Sequence, residues 1–167
     1  MGHMKTLLLL RHAKSSWKDE SLTDHERPLN KRGKKTAPLM GHLLRDQGLV
    51  PDLIVSSTAV RARNTAEAAA EACGYPGEVA LTDELYLATA GEILRYAQER
   101  TEETLGRIML VGHNPGMENL VNMFSGQKEP FPTAALASFE LGIDSWRNLE
   151  LGVEVKLKNL WRPRELE

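Results

Sequence analysis

The stretch "LLLLRHAKSSW", Leu7 to Trp17, decides how this chain is read. Four consecutive leucines form a short continuous apolar run, the pattern of a strand buried on both faces. The run ends abruptly in a guanidinium, Arg11, and an imidazole, His12, followed by Ala13, Lys14, Ser15 and Ser16. A strand of this kind delivers its last side chains to one edge of a sheet. Alone, the Arg–His pair could simply mark where the strand reaches solvent. Its meaning depends on how the other strands end.

Strand and helix alternate along the rest of the chain. Residues 13–33 are polar and read as a long loop, a type that is often functional in a compact domain. A helix follows, with Ala37, Met40, Leu43 and Leu44 at helical spacing, closing near Gly48. Pro38 is expected near its start or at a kink. "PDLIVSS" is a second strand. "TAVRARNTAEAAAEACG" is an alanine-rich helix with Ser57 or Thr58 as N-cap and Gly74 as its stop. "GEVALTDEL" holds a short third strand, "TAGEILRYAQER" a helix, and "RIMLVGH" a fourth buried strand. In "NPGMENLVNMF", Asn114 can cap and Pro115 suits the first turn. Met117, Leu120, Val121 and Phe124 then fall on one face and read as core. "ALASFEL" and "GVEVKLKNL" are the last strands. In the second of these, Val153, Val155 and Leu157 alternate with Glu154, Lys156 and Lys158, the mark of one solvated face. The pattern predicts a single α/β domain over residues 4–167, a three-layer α/β/α sandwich with a mostly parallel central sheet. Met1-Gly2-His3 reads as a cloning remnant ahead of a natural Met4.

Composition narrows the classes of function. The 167 residues are 41% hydrophobic and 26% charged, which fits a globular chain with a sizeable core. A net charge of -2 exerts no global pull toward nucleic acid or membrane, so any basic site must be local. Cys73 is the only cysteine, which excludes an intramolecular disulfide and suits a reducing, cytoplasmic setting. The apolar start is too short for a signal peptide and lacks a small-residue cleavage site. No apolar run reaches the length of a membrane span.

Three strands end in comparable chemistry. The first ends at Arg11-His12. The second leads into "SSTAVRA", with Arg61 in the first turn of the next helix. The fourth ends in "VGHNPG", with His113 just before a helix. In open parallel α/β sheets, ligands bind beyond the carboxyl ends of the strands. Two guanidiniums, two imidazoles and two helix N-termini converging there suit a phosphoryl group. A neutral His can attack phosphorus. A second His, if protonated, can stabilise the redistributed charge. A divalent metal held by His12 and His113 is a distinct alternative. Arg11 and Arg61 would repel it, and no Cys or carboxylate ligand cluster accompanies the two histidines, so neither metal nor cofactor is expected.

"LLLLRHAKS", "SSTAVRARNTA" and "VGHNPG", in this order and spacing, resemble the histidine phosphatase superfamily with its phosphoglycerate mutase-like fold. "RPLNKRG", Arg27 to Gly33, is similar to a segment of its SixA-type phosphohistidine phosphatase branch. The resemblance implies that His12 is the nucleophile that becomes phosphorylated, and that Arg11 and Arg61 bind phosphoryl oxygens. It implies that His113 completes the pocket and that Glu84, in "TDELYLA", occupies the region of the usual acid, with Asp83 adjacent. Ala13 stands where many members carry Gly. Lys14 and Ser15 are candidates to touch substrate. Arg63 reads as a solvated surface charge, and His25 and His42 as structural or exposed. The implied activity is metal-independent hydrolysis of phosphohistidine on a protein. The alternatives are a phosphomonoesterase for a small ester or nucleotide, with Glu84 protonating the leaving group, and a non-catalytic phosphate-binding domain.

Overall fold

The four leucines of the first strand divide between two hydrophobic cores, and this division organises the molecule. The structure, a computed structural model, describes residues 4–167, so the cloning-remnant reading of residues 1–3 lies outside the described residues. The elements run β1 (Lys5–Arg11), α1 (Lys31–Asp46), β2 (Leu53–Ser57), α2 (Val60–Cys73), β3 (Ala80–Thr82), α3 (Ala90–Arg100) and β4 (Arg107–Gly112). There follow α4 (Gly116–Ser125), β5 (Leu136–Leu141), β6 (Val155–Trp161) and the short α5 (Pro163–Leu166). Successive side chains of a strand point to opposite faces. Leu8 and Leu10 therefore join Met40, Leu44 and the alanines of α2 in one core. Leu7 and Leu9 join Ile93, Met117, Leu120 and Val121 of α3 and α4 in the other. All four leucines are fully buried.

The six strands lie in the order β3-β2-β4-β1-β5-β6. β3, β2, β4 and β1 are parallel. β5 and β6 continue the sheet antiparallel to their neighbours. The result is the expected three-layer sandwich with a mixed, mostly parallel sheet. β6 shows the alternation read from its sequence, with Lys156 and Lys158 exposed between partly buried Val155, Leu157 and Asn159. No helix among the described residues is long and apolar enough to cross a membrane.

Several helix boundaries differ from expectation, each for a local reason. α1 starts at Lys31, inside the stretch read as loop, because the Asn30 side chain accepts the Gly33 N–H as an N-cap. The helix runs through Pro38 rather than beginning at it. α2 is capped by neither Ser57 nor Thr58: its N-cap is Ala59, without a side-chain cap. The Ser57 hydroxyl is engaged elsewhere. α4 has Pro115 as N-cap, with Asn114 one residue before it accepting the Glu118 N–H at 3.2 Å.

α1 and α2 approach closely at Gly41, where an added Cβ would be driven into the Ala69 carbonyl and the Ala72 methyl. Gly41→Ala is expected to destabilise the fold by about 1–3 kcal/mol. Urea denaturation checks this, and an unshifted midpoint would contradict the packing of this helix pair.

Candidate active site

Strand register brings the motif residues together. β4 lies between β2 and β1, and Arg11 pairs with Gly112 across the parallel ladder. The residues that follow, His12 and His113, are therefore neighbours. The His12 N–H donates to the Gly112 carbonyl at 3.0 Å, and the two ring centroids lie 5.2 Å apart. On the other side of β4, Ser57 ends β2, and its Oγ lies 2.8 Å from His113 Nε2. Arg61, in the first turn of α2, is 3% exposed and close enough to Arg11 for its charge to disfavour the Arg11 guanidinium.

His12 Nδ1 lies 2.7 Å from the Ala13 carbonyl oxygen. A carbonyl only accepts, so Nδ1 carries the proton and Nε2 keeps its lone pair. Burial, followed by the charges of Arg61, Arg11 and Arg27, lowers the His12 pKa to about 4 against the support of that hydrogen bond. His12 is therefore a neutral imidazole at neutral pH. Burial also brings His113 down to about 3, with His12 and Arg61 adding to the effect. The condition placed on the second histidine, that it be protonated, is disfavoured by this setting: burial and the neighbouring positive charge favour the neutral ring, which offers a single N–H. Ser57 Oγ accepts from the Ala59 N–H at 3.2 Å and keeps a hydroxyl proton that it can donate to His113 Nε2. With the Ser57 hydroxyl donating to Nε2, the neutral ring carries its proton on Nδ1, a buried atom without a partner among the described residues. Arg11 Nε and Arg61 Nε are likewise buried and unpartnered. Buried donors of this kind seek acceptors, and an oxyanion supplies several.

The residue that sequence reasoning missed is Asp24. Its Oδ2 accepts from Arg61 at 3.0 Å and from the Tyr86 hydroxyl at 2.6 Å, and its main-chain carbonyl accepts from Arg61 at 2.7 Å. Its Oδ1 accepts from Arg27. Desolvation alone would raise its pKa, but Tyr86 and Arg61 outweigh that and hold it at about 2. Asp24 is thus a fixed anion that aims Arg61, and it cannot serve as a proton donor near neutrality. Tyr86 packs edge-on against both His113 and His25, and His25 Nε2 bonds Thr58 at 2.9 Å. His25 is a support behind the site, while His42 is exposed on α1. Arg63 is exposed and paired with Glu67, as read. Thr65 ties the loop to α2 by accepting the Ala13 N–H at 2.9 Å and donating to the Arg61 carbonyl at 2.7 Å.

Three expected contributors sit differently. Glu84 is not brought to the cluster: it is exposed, and its carboxylate pairs with Arg100 at 3.1 Å. The short turn Asp83–Leu85 that follows β3 points Glu84 toward α3 and leaves Tyr86 to face the histidines. Ser15 Oγ accepts from Arg27 at 2.7 Å and braces the loop from within. Lys14 is exposed at the rim. Among the described residues no three His, Cys, Asp or Glu side chains gather so as to hold a metal ion.

The chain has relatives among known proteins. The family model for the histidine phosphatase superfamily (branch 1) matches residues 7–107. An uncharacterised chloroplastic protein of Arabidopsis thaliana is 35% identical over 150 residues, covering 85% of this chain and 69% of that protein. Phosphohistidine phosphatase SixA of Escherichia coli (strain K12) is 26% identical over 138 residues, covering 81% of this chain and 84% of that one. The crystal structure of a provisionally assigned phosphohistidine phosphatase SixA from Agrobacterium tumefaciens superposes with a TM-score of 0.79. It has 32% identity over 95% of this chain and 98% of that chain.

Two outcomes follow from the site's electrostatics. Asp24→Ala is expected to lower kcat/KM for a phosphoryl substrate by about a hundredfold through misplacement of Arg61; steady-state kinetics with an unchanged value would exclude the anchoring role. The second concerns acid stability. His12 and His113 bind protons more weakly folded than unfolded, so the unfolded chain holds more protons below the ordinary histidine pKa. Stability present above about pH 6.5 should fall with pH toward about 4, on the order of 1 kcal/mol per histidine per pH unit. Thermal melts across this range should show the loss, and His12→Asn should reduce its slope.

Proposed function

Because the chain belongs to the histidine phosphatase superfamily and is a phosphatase, we propose that it hydrolyses phosphohistidine carried on a protein, without a metal, through a phospho-His12 intermediate. One observation carries the proposal: His12 is neutral, with Nδ1–H tied to the Ala13 carbonyl and Nε2 left as the nucleophilic atom. His12 Nε2 attacks phosphorus in line. The P–N bond to the substrate imidazole breaks as the bond to Nε2 forms, and the departing imidazole takes up a proton from solvent. Water then attacks the phosphoenzyme, releasing inorganic phosphate and restoring His12.

The other groups act on the oxygens. Arg11 and Arg61 neutralise the phosphoryl charge from fixed positions, one beside Phe131 and Glu118, the other held by Asp24. The His113 Nδ1–H donates to a non-bridging oxygen, steadied by Ser57. These donors are preorganised, so no reorganisation is required as charge shifts in the transition state. An imidazole leaving group needs less protonation than an alkoxide, which suits a site whose carboxylates are unavailable as acids. Glu84 is paired with Arg100, and Asp24 is held ionised. The same placement weighs against the phosphomonoesterase alternative, whose leaving group depends on an acid.

The test is a substrate panel of phosphohistidine protein, phosphoramidate and phosphate esters, run with and without chelator. Wild type should release phosphate from the first two, indifferent to chelator. His12→Ala should lose the activity by at least about a thousandfold. Equal release by wild type and His12→Ala, or strong activation by a divalent ion, would overturn the mechanism.

A further inference from the structure

Beside the phosphoryl pocket lies a cleft of about 300 Å³ whose lining includes Lys14, Arg32, Arg162 and Arg164, with Glu165 as its one acidic wall. It adjoins the His12 loop on two sides. Lys14 follows His12 by two residues. Thr133, also in the lining, precedes Ala134, whose N–H donates to both the Arg11 and His12 carbonyls. Two of the four cations are already paired: Arg32 with Glu167 at 3.1 Å, and Arg162 with Glu129 and Glu165. Lys14 and Arg164 are exposed, and among the described residues no carboxylate lies within 4.0 Å of either. The chain as a whole is slightly acidic, so this is a local cationic face and not part of a general basic surface.

We propose that this cleft is a recognition subsite for acidic side chains that flank the phosphohistidine on the partner protein. This inference rests on the phosphohistidine reading above. With the phosphoryl group at His12, residues a few positions away in the partner, each advancing up to ~3.5 Å, reach past Lys14 into the cleft. Their carboxylates meet Lys14 and Arg164, while the hydroxyl of Thr133 in the lining adds hydrogen-bonding capacity. Rim charges of this kind steer encounter and select partners more than they add raw affinity.

The experiment compares kcat/KM for two phosphohistidine peptides, one with glutamates on both flanks and one with glutamines, alongside phosphoramidate. Wild type should prefer the acidic peptide by about tenfold at low ionic strength, with the preference shrinking as salt screens it. Arg164→Glu, a change on an exposed side chain, should bring the peptide ratio to about one, and Arg164→Ala should give an intermediate value. Equal rates on the two peptides in wild type, or a preference that Arg164→Glu leaves intact, would remove the subsite while leaving the phosphatase reading standing. Faster turnover of a small bisphosphorylated ester than of the acidic peptide would assign the cleft to a small molecule instead. Absence of phosphoramidate and peptide turnover in wild type would overturn the phosphohistidine reading, and the subsite with it.

Discussion

The hydrogen bond from His12 Nδ1 to the Ala13 carbonyl governs the chemistry open to this site. It settles which imidazole nitrogen holds the proton, and burial settles that there is only one. A nucleophilic histidine must present an unprotonated nitrogen beside two cations that would otherwise be poor company for an imidazolium. The guanidiniums proposed to hold the phosphoryl group also favour the neutral ring. Ala13 can hold its carbonyl in place because it is itself immobilised: it is fully buried, and its N–H is held by Thr65. Thr65 in turn binds the Arg61 carbonyl, so the His12 loop and Arg61 share a single brace.

The sheet supplies the rest. Strand order β2-β4-β1 sets Ser57, His113 and His12 side by side without any long-range loop having to find its register. The cost of gathering Arg11 and Arg61 is like-charge repulsion in a partly buried setting, and two carboxylates offset it. Glu118 faces Arg11, and Asp24 grips Arg61. Asp24 also receives the Tyr86 hydroxyl and Arg27, so the polar loop between β1 and α1 is drawn over the site by one carboxylate. That loop carries Trp17, stacked on Arg27 at 3.4 Å yet 73% exposed.

What the sequence made legible follows from what is local. The leucine run, the Ala-rich helix and the three strand ends carry their own patterns, and register in a parallel sheet converts strand ends into neighbours. Asp24 was not legible, because its role depends on three partners that lie up to 62 residues away along the chain. It sat in a polar loop where any carboxylate reads as solvated. Its only signal was closeness to the "RPLNKRG" segment. Ser57 was read as a helix cap because hydroxyls before a helix usually are; here the β2–β4 register gives it a stronger partner in His113. Glu84 failed for the opposite reason. Its position in the chain fits an acid, but a short turn rotates it toward Arg100 and puts Tyr86 in its place. Spacing along a chain cannot resolve a rotation of one or two residues in a turn. Pro38 shows a similar limit, since a single proline can be absorbed within a helix that packs well on both sides of it.

The central claim is that His12 is a neutral imidazole, protonated on Nδ1, with Nε2 free to attack. Nitrogen-15 NMR of the imidazole side chains of the intact chain reads this directly. The account predicts that His12 shows a protonated Nδ1 and an unprotonated Nε2 at neutral pH, and takes up its second proton only near pH 4. A His12 ring doubly protonated at neutral pH, or carrying its single proton on Nε2, would contradict it.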